Sequence, residues 1–272
     1  GGLVGSEMCI RDSLPSVVDD IDMNITHIIR GEDHITNSGI QLEIFNALEA
    51  NTPIFGHNSL LVSENGEPFS KRNVASSIEQ IREQGIEPNA LNSLIASIGS
   101  SVDIQIFKSI DDIAKYFEIT SLGKAPARYD KNQLVRLNSQ LISSYSFEEI
   151  SKIISNNTGD FSEEFWDCIK QNISEISEIN IWLKIINEPI NHNLDIDKNY
   201  LNIAQDVLPM EPWDKKTWDE WIEMLKDKTQ KRGKELFMPI RLALTGKTTG
   251  PELNKLILLM GYNKVLDRLK RQ

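Results

Sequence analysis

Two short clusters in this sequence could do chemistry together. One is Phe69-Ser70-Lys71-Arg72, which follows the turn-like Glu64-Asn65-Gly66-Glu67 and precedes a helix start at Ser76. A lysine in a short loop can reach the phosphates of a nucleotide. There it would steady the charge that builds on a departing pyrophosphate, a role that needs only position and a cation. Alone, such a tripeptide is usually a solvated loop. It gains weight from the second cluster, Ile28-Ile29-Arg30-Gly31-Glu32-Asp33-His34, which lies upstream. The bland alternative for Arg30 is an ion pair with Glu32 or Asp33.

Positioning these clusters requires a sheet. Residues 25–30, with Ile25, Ile28 and Ile29, are apolar enough to predict a strand buried in a parallel sheet. Thr36 or Asn37 caps a predicted helix with Ile40, Ile44 and Leu48 on one face, and residues 53–62 return as loop and strand. This β-α-β order points to an α/β sheet whose ligands sit at the strand carboxyl ends, and residues 30–34 lie at such an end. Residues 14–18 are predicted as a further short strand. Residues 1–13 show no convincing period, lead into no recognisable element, and read as a foreign leader.

Beyond residue 72 the pattern is helical. Ser76 with Glu79 predicts a capping box and Gly85 a stop. Pro88 opens a helix with Leu91, Leu94, Ile95 and Ile98 as its stripe. Ser109 with Asp112 opens another, carrying Ile110, Ile113 and Phe117, and Asp130 with Gln133 a third, carrying Leu134, Leu137 and Leu141. Residues 187–202 read as loop. Pro251 starts a helix that Gly261 stops, and Asn263 starts the last one.

Composition sets outer bounds. The chain has 272 residues, 40% of them hydrophobic, enough for two packed domains. Cys9 and Cys168 have neither metal nor redox spacing. No long apolar run and no clear signal peptide are present, which predicts a cytoplasmic protein with no membrane partner. Net charge is −11, yet residues 226–272 hold twelve basic and four acidic residues, a local +8, against −19 for the rest. An acidic body with a basic C-terminal portion can still hold a polyanion locally. A solvated helix surface explains the same charges equally well.

Taken together, several motifs resemble bacterial glutamyl-tRNA synthetase, a class I aminoacyl-tRNA synthetase. They are Val17-Val18-Asp19-Asp20, Thr26 through His34, Phe69 through Arg72, Glu87-Pro88-Asn89-Ala90-Leu91, Ala127-Arg128-Tyr129-Asp130 with Leu137-Asn138, and Pro239 through Gly246. The resemblance runs from about residue 14 to the C-terminus. It implies a fold of α/β and all-α parts: part of a Rossmann-like catalytic domain at 14–72, a helical connecting domain at 73–127 that contacts the tRNA stem, and a helical anticodon-binding domain at 128–272.

The resemblance also implies roles. Arg30 matches the arginine that pairs with the glutamate substrate, where a planar fork suits a carboxylate. Asp33 matches a position that helps hold ATP. Lys71 matches the second lysine of the nucleotide loop, usually Lys-Met-Ser-Lys-Ser and here degenerate. It is the catalytic candidate, with Ser70 and Arg72 shaping the loop around ATP. Pro68 stands where the family often has a first lysine, so one cationic contact is missing. Arg241 lies where relatives contact the anticodon loop, and its alternative is a helix cap or an acidic partner. Trp213, Trp218 and Trp221 read as core rather than stacking platforms.

The expected partners are tRNA(Glu), glutamate and ATP with Mg2+, and no bound metal of the protein's own; a monomer is favoured. The family's His-Ile-Gly-His-type motif is not found: the four histidines, His27, His34, His57 and His192, lack that spacing. A family tyrosine expected shortly before Val17 falls near Asp12. The expectation is therefore an N-terminally truncated ligase whose glutamate activation is lost or weak by itself. Two alternatives are a tRNA-binding module without chemistry and a helical interaction protein with vestigial Arg30 and Lys71.

Overall fold

The computed structural model describes residues 4–67, 77–154, 159–190 and 196–270, with backbone alone for residues 4–12. Lys71, Ser70, Arg72, Pro68 and Ser76 lie outside the described residues. In chain order come α1 (Val4–Asp22), β1 (His27–Gly31), α2 (Ile35–Ala47), β2 (Ile54–Asn58), β3 (Leu61–Ser63), α3 (Ile78–Glu83), α4 (Pro88–Ser97), α5 (Ile110–Tyr116) and β4 (Ala127–Tyr129). Helices follow: α6 (Lys131–Ser144), α7 (Phe147–Ile153), α8 (Glu163–Ile169), α9 (Glu178–Asn187), α10 (Lys198–Asp206), α11 (Thr217–Thr229), α12 (Lys234–Thr245) and α13 (Leu253–Lys270). The chain divides into one unit of Gly1–Gln80 with Pro88–Leu134 and another of Ile81–Glu87 with Val135–Gln272.

In the first unit, β1 and β2 pair in parallel across the crossover helix α2, which is the expected β-α-β order. Their register sets Arg30 opposite His57. β3 pairs in parallel with β4, Leu61 opposite Ala127. The turn before the Lys71 segment forms as expected, with Gly66 at φ +83° and its N–H donating to the Ser63 carbonyl.

Several expectations need correction here. Residues 14–18 are helical, within α1. A five-residue apolar run fits either period, and Ser13 and Val17, one turn apart, are the buried pair. The backbone of α1 runs through residue 13 without a break, with Pro15 inside the helix. β1 is not buried as the run predicted. Ile29 is 53% exposed, since β1 has only β2 as a strand neighbour among the described residues.

The inward face of α2 is also different. It is Ser38, Gln41 and Phe45, not Ile40, Ile44 and Leu48. His34 is the N-cap, so Thr36 and Asn37 lie inside the first turn. A hydrophobic period cannot find a face whose polar side chains are buried by hydrogen bonding. The same holds for α4, which starts at Pro88 but buries Ala90, Ser93, Leu94 and Ser97, leaving Ile95 52% exposed. Ser93 Oγ donates to the Asn89 carbonyl at 2.6 Å and accepts from the Phe107 N–H at 2.9 Å. At α5, Ser109 caps as expected, accepting from the Asp112 N–H at 3.1 Å.

The second unit is helical. Leu137 and Leu141 of α6 are buried, and between them Asn138 is fully buried. Asn138 accepts from the Glu87 N–H at 2.8 Å and donates to the carbonyls of Gly85 and Ser174. Gly85 ends α3 at φ +68°, the left-handed conformation a glycine tolerates. Ser77 accepts from the Gln80 N–H. The expected loop at 187–202 ends early, because Asp197 accepts from the Asn199 and Tyr200 N–H groups and starts α10. Gly261 interrupts α13 at φ 75°, ψ 165°, the stop read from the sequence. Trp221 is fully buried and donates to the Ala204 carbonyl at 2.9 Å.

One charge organises this unit. Arg268 is 5% exposed and its guanidinium donates to the carbonyls of Leu244, Ile185, Ile186 and Glu188, at the C-terminal ends of α12 and α9. Those carbonyls have no partner inside their own helices, and a cation there also meets the negative end of each helix. Arg268→Leu strips them of donors. Hydrogen bonds to a charged group contribute about 1.5–3 kcal/mol each, so urea denaturation of the full chain should show a loss of about 3 kcal/mol or more. Cys168 is buried in the same unit, and desolvation pushes its thiol up to about 11. At pH 8 iodoacetamide should leave Cys168 unmodified in the folded chain and alkylate it in urea, as read by peptide mass mapping. Equal rates in both would contradict this packing.

Candidate functional site

Arg30 is the fourth residue of β1, close to the strand's carboxyl end. Its Nη2 donates to Ser38 Oγ at 2.7 Å and to Gln41 Oε1 at 2.6 Å. The guanidinium lies over the Phe55 ring, 5.2 Å from its centre. Its Nε is buried without a partner. Burial lowers its pKa from the ordinary value, and the charge of Asp20 acts against that shift. Among the described residues Arg30 makes no ion pair with Glu32 or Asp33, so the bland alternative is not what the geometry gives.

The elements explain this arrangement. Strand alternation and the β1–β2 register place Arg30 beside Phe55 and His57 of β2. The helix that crosses between the strands presents Ser38 and Gln41, three residues apart on one face, to the same guanidinium. Ser38 Oγ is also 2.7 Å from His57 Nε2 and donates toward the His34 carbonyl at 3.1 Å. Gln41 Nε2 reaches Ser16 Oγ of α1 at 3.5 Å.

Asp33 lies in a short 3-10 turn, Glu32–His34, that leads into α2. Its carboxylate is exposed and 3.8 Å from His34 Nε2. A Cβ on Gly31 would stand 2.5 Å from Asp33 Oδ1, so the carboxylate folds back over a position without a side chain. Beside Arg30, Ile29 lines an open apolar cavity of about 590 Å³, with Leu61, Ile95, Ile113, Phe117 and Ala127 among its walls.

The structure thus describes Arg30 and Asp33 at one end of β1. Lys71, Ser70 and Arg72 fall outside the described residues. Ser38, Gln41, Phe55 and His57 did not emerge from the sequence reading. A parallel β-α-β register could have flagged His57, and polar residues at i and i+3 on the helix between could have flagged the other pair.

Arg241, on α12 of the second unit, is half-buried and donates through Nη1 to the Pro251 carbonyl at 3.0 Å, just ahead of α13. Burial lowers its pKa. Its partner is a carbonyl rather than an acidic side chain. The +8 of the C-terminal segment is not all surface charge. Arg268 is buried, Lys231 pairs with Asp197 at 3.3 Å, and Lys255 pairs with Glu252 at 2.7 Å. Among the described residues no helix is long and apolar enough to cross a membrane.

Residues 13–136 match the family described as tRNA synthetases class I (E and Q), catalytic domain, and residues 184–272 match the anticodon binding domain. Over 261 residues the chain is 44% identical to glutamate–tRNA ligase 1 of Chelativorans sp. (strain BNC1) and 40% identical to that of Brucella ovis. Each alignment covers 94% of this chain, which spans 57% of the length of these relatives. Among solved structures, the glutamate-tRNA synthetase of Elizabethkingia anophelis superimposes with a TM-score of 0.72 at 21% identity, covering 94% of this chain and 58% of that one. A glutamate tRNA ligase of Elizabethkingia meningosepticum in complex with its amino acid gives 0.73 at 22%, with the same coverage. The fold is that of a class I synthetase catalytic segment followed by a helical anticodon-binding domain, and the chain is similar to glutamate–tRNA ligases over a little more than half of their length.

Proposed function

We propose that this chain supplies the amino acid grip and the tRNA grip of a glutamate–tRNA ligase. Arg30 pairs with the side-chain carboxylate of glutamate. Asp33 and the Ser70-Lys71-Arg72 loop hold ATP. The helical part, with Arg241 at the anticodon loop, binds tRNA(Glu). An oxygen of the glutamate α-carboxylate attacks the α-phosphorus of ATP and pyrophosphate leaves, its charge met by Lys71. The glutamyl-adenylate then gives its acyl group to a terminal ribose hydroxyl of the tRNA, releasing AMP. Among the described residues no three His, Cys, Asp or Glu side chains could hold a metal ion together, and magnesium enters as the ATP complex, a substrate.

One observation carries this reading. Arg30 is a partly desolvated cation near the carboxyl end of a parallel strand, and its hydrogen-bond partners are neutral. Ligands of open α/β sheets gather at that end, and a carboxylate would supply the hydrogen-bonded charge partner that Arg30 lacks, beyond the more remote charge of Asp20. A second reading is a tRNA-binding module without chemistry, supported by the match of residues 184–272 to the anticodon binding domain.

Calorimetry with L-glutamate, filter binding with tRNA(Glu) and ATP–pyrophosphate exchange separate these readings. Removing one partner of a buried charge pair costs about 2–5 kcal/mol, so Arg30→Ala should weaken L-glutamate about 30-fold or more, with tRNA affinity retained. Unchanged L-glutamate affinity in Arg30→Ala would refute the amino acid assignment. Exchange above background supports the ligase, and tRNA binding without exchange supports the binding module.

A further inference from the structure

The groups in contact with Arg30 are uncharged, and the acidic charge of Asp20 acts on it without a hydrogen bond. Ser38 is a hydroxyl, Gln41 an amide, and Phe55 a ring face. Ser38 and Gln41 are themselves buried, so their contacts to Nη2 are not diluted by water. A carboxylate in place of the Gln41 amide would have the same shape and would neutralise the guanidinium from within. Ser38 has one hydroxyl hydrogen and is shared by three groups: Nη2 donates to it, the His34 carbonyl lies 3.1 Å away, and His57 Nε2 lies 2.7 Å away. With the hydrogen directed to His34, His57 must be the donor through Nε2, and the Ser38 oxygen is then fully committed.

Resting on the assignment of Arg30 to the glutamate carboxylate, we propose that Ser38, Gln41 and His57 are positioning residues. They pin one end of the Arg30 fork with neutral acceptors and so leave its charge and its remaining edge to the ligand. Gln41 is then specificity-determining. Its neutrality makes the site select a carboxylate side chain over the isosteric amide.

The test uses the full chain with 15N-labelled arginine. The Arg30 Nε–H resonance is assigned by its loss in Arg30→Lys, and L-glutamate and L-glutamine are titrated by calorimetry. In Gln41→Glu, L-glutamate affinity should fall at least about tenfold, because like charges brought together cost several kcal/mol. L-glutamine affinity should stay within about twofold, and the Nε–H resonance should shift. In Ser38→Ala that resonance should broaden, and Ser38→Thr, which keeps the hydroxyl, should restore it. Circular dichroism spectra and melting temperatures check that each variant is folded. Wild-type L-glutamate affinity in Gln41→Glu, or an unaltered resonance in Ser38→Ala, overturns the proposal. If Arg30→Ala binds L-glutamate like the wild type, the ligand assignment fails and the specificity role with it. The Nε–H response to Ser38 then decides the positioning claim separately.

Discussion

A guanidinium can leave water only if other oxygens replace its hydration, and carboxylates are not the only oxygens that serve. Arg268 and Arg30 both meet this constraint without an acidic partner in hydrogen-bonding contact. Arg268 does so with helix-end carbonyls, which themselves need donors, so the cation and the helix termini satisfy each other. Its placement ties the ends of α9 and α12 to α13 within the helical unit. Arg30 is only partly satisfied, with Nη2 held and Nε left buried without a partner. The difference separates a group whose bonding capacity is spent on the fold from one with capacity left over.

The route from sequence to the Arg30 site runs through a single β-α-β unit. Parallel pairing fixes which residue of β2 faces Arg30, and the crossover helix must lie over the strands it connects. Ser38 and Gln41 are consequently delivered to the guanidinium by topology, although eight and eleven residues separate them from it along the chain. Asp33 follows because the strand ends in a tight turn over Gly31. A site with these parts is a property of the crossover rather than of any local run of residues.

Polar residues on buried faces also explain the failures of periodicity. On α2 and α4 the inward positions are serines, a glutamine and alanine beside single large apolar residues, while isoleucines point toward open surface or the apolar cavity. Ser93 and Ser97 satisfy their hydroxyls on carbonyls one turn back, which lets a small polar residue pack as though it were apolar. In α6 the leucines do face inward and the periodic reading succeeds, with Asn138 hidden among them because it bridges three backbone groups.

By itself the sequence determined the punctuation and the chemistry on offer. Gly85 and Gly261 stop helices because they accept positive φ, Pro88 and Ser109 start them because they relieve unpaired N–H groups, and the alternation of strand and helix announced a parallel sheet. The resemblance to class I synthetases was legible as an order of motifs, and the comparisons bear it out. Tertiary structure alone decided that residues 14–18 are helical, that the basic C-terminal segment hides Arg268 instead of displaying it, and that Arg30 is held by neutral groups. Those outcomes depend on which atoms meet across long sequence separations, where burial and hydrogen bonding compete, and no local pattern encodes the result of that competition.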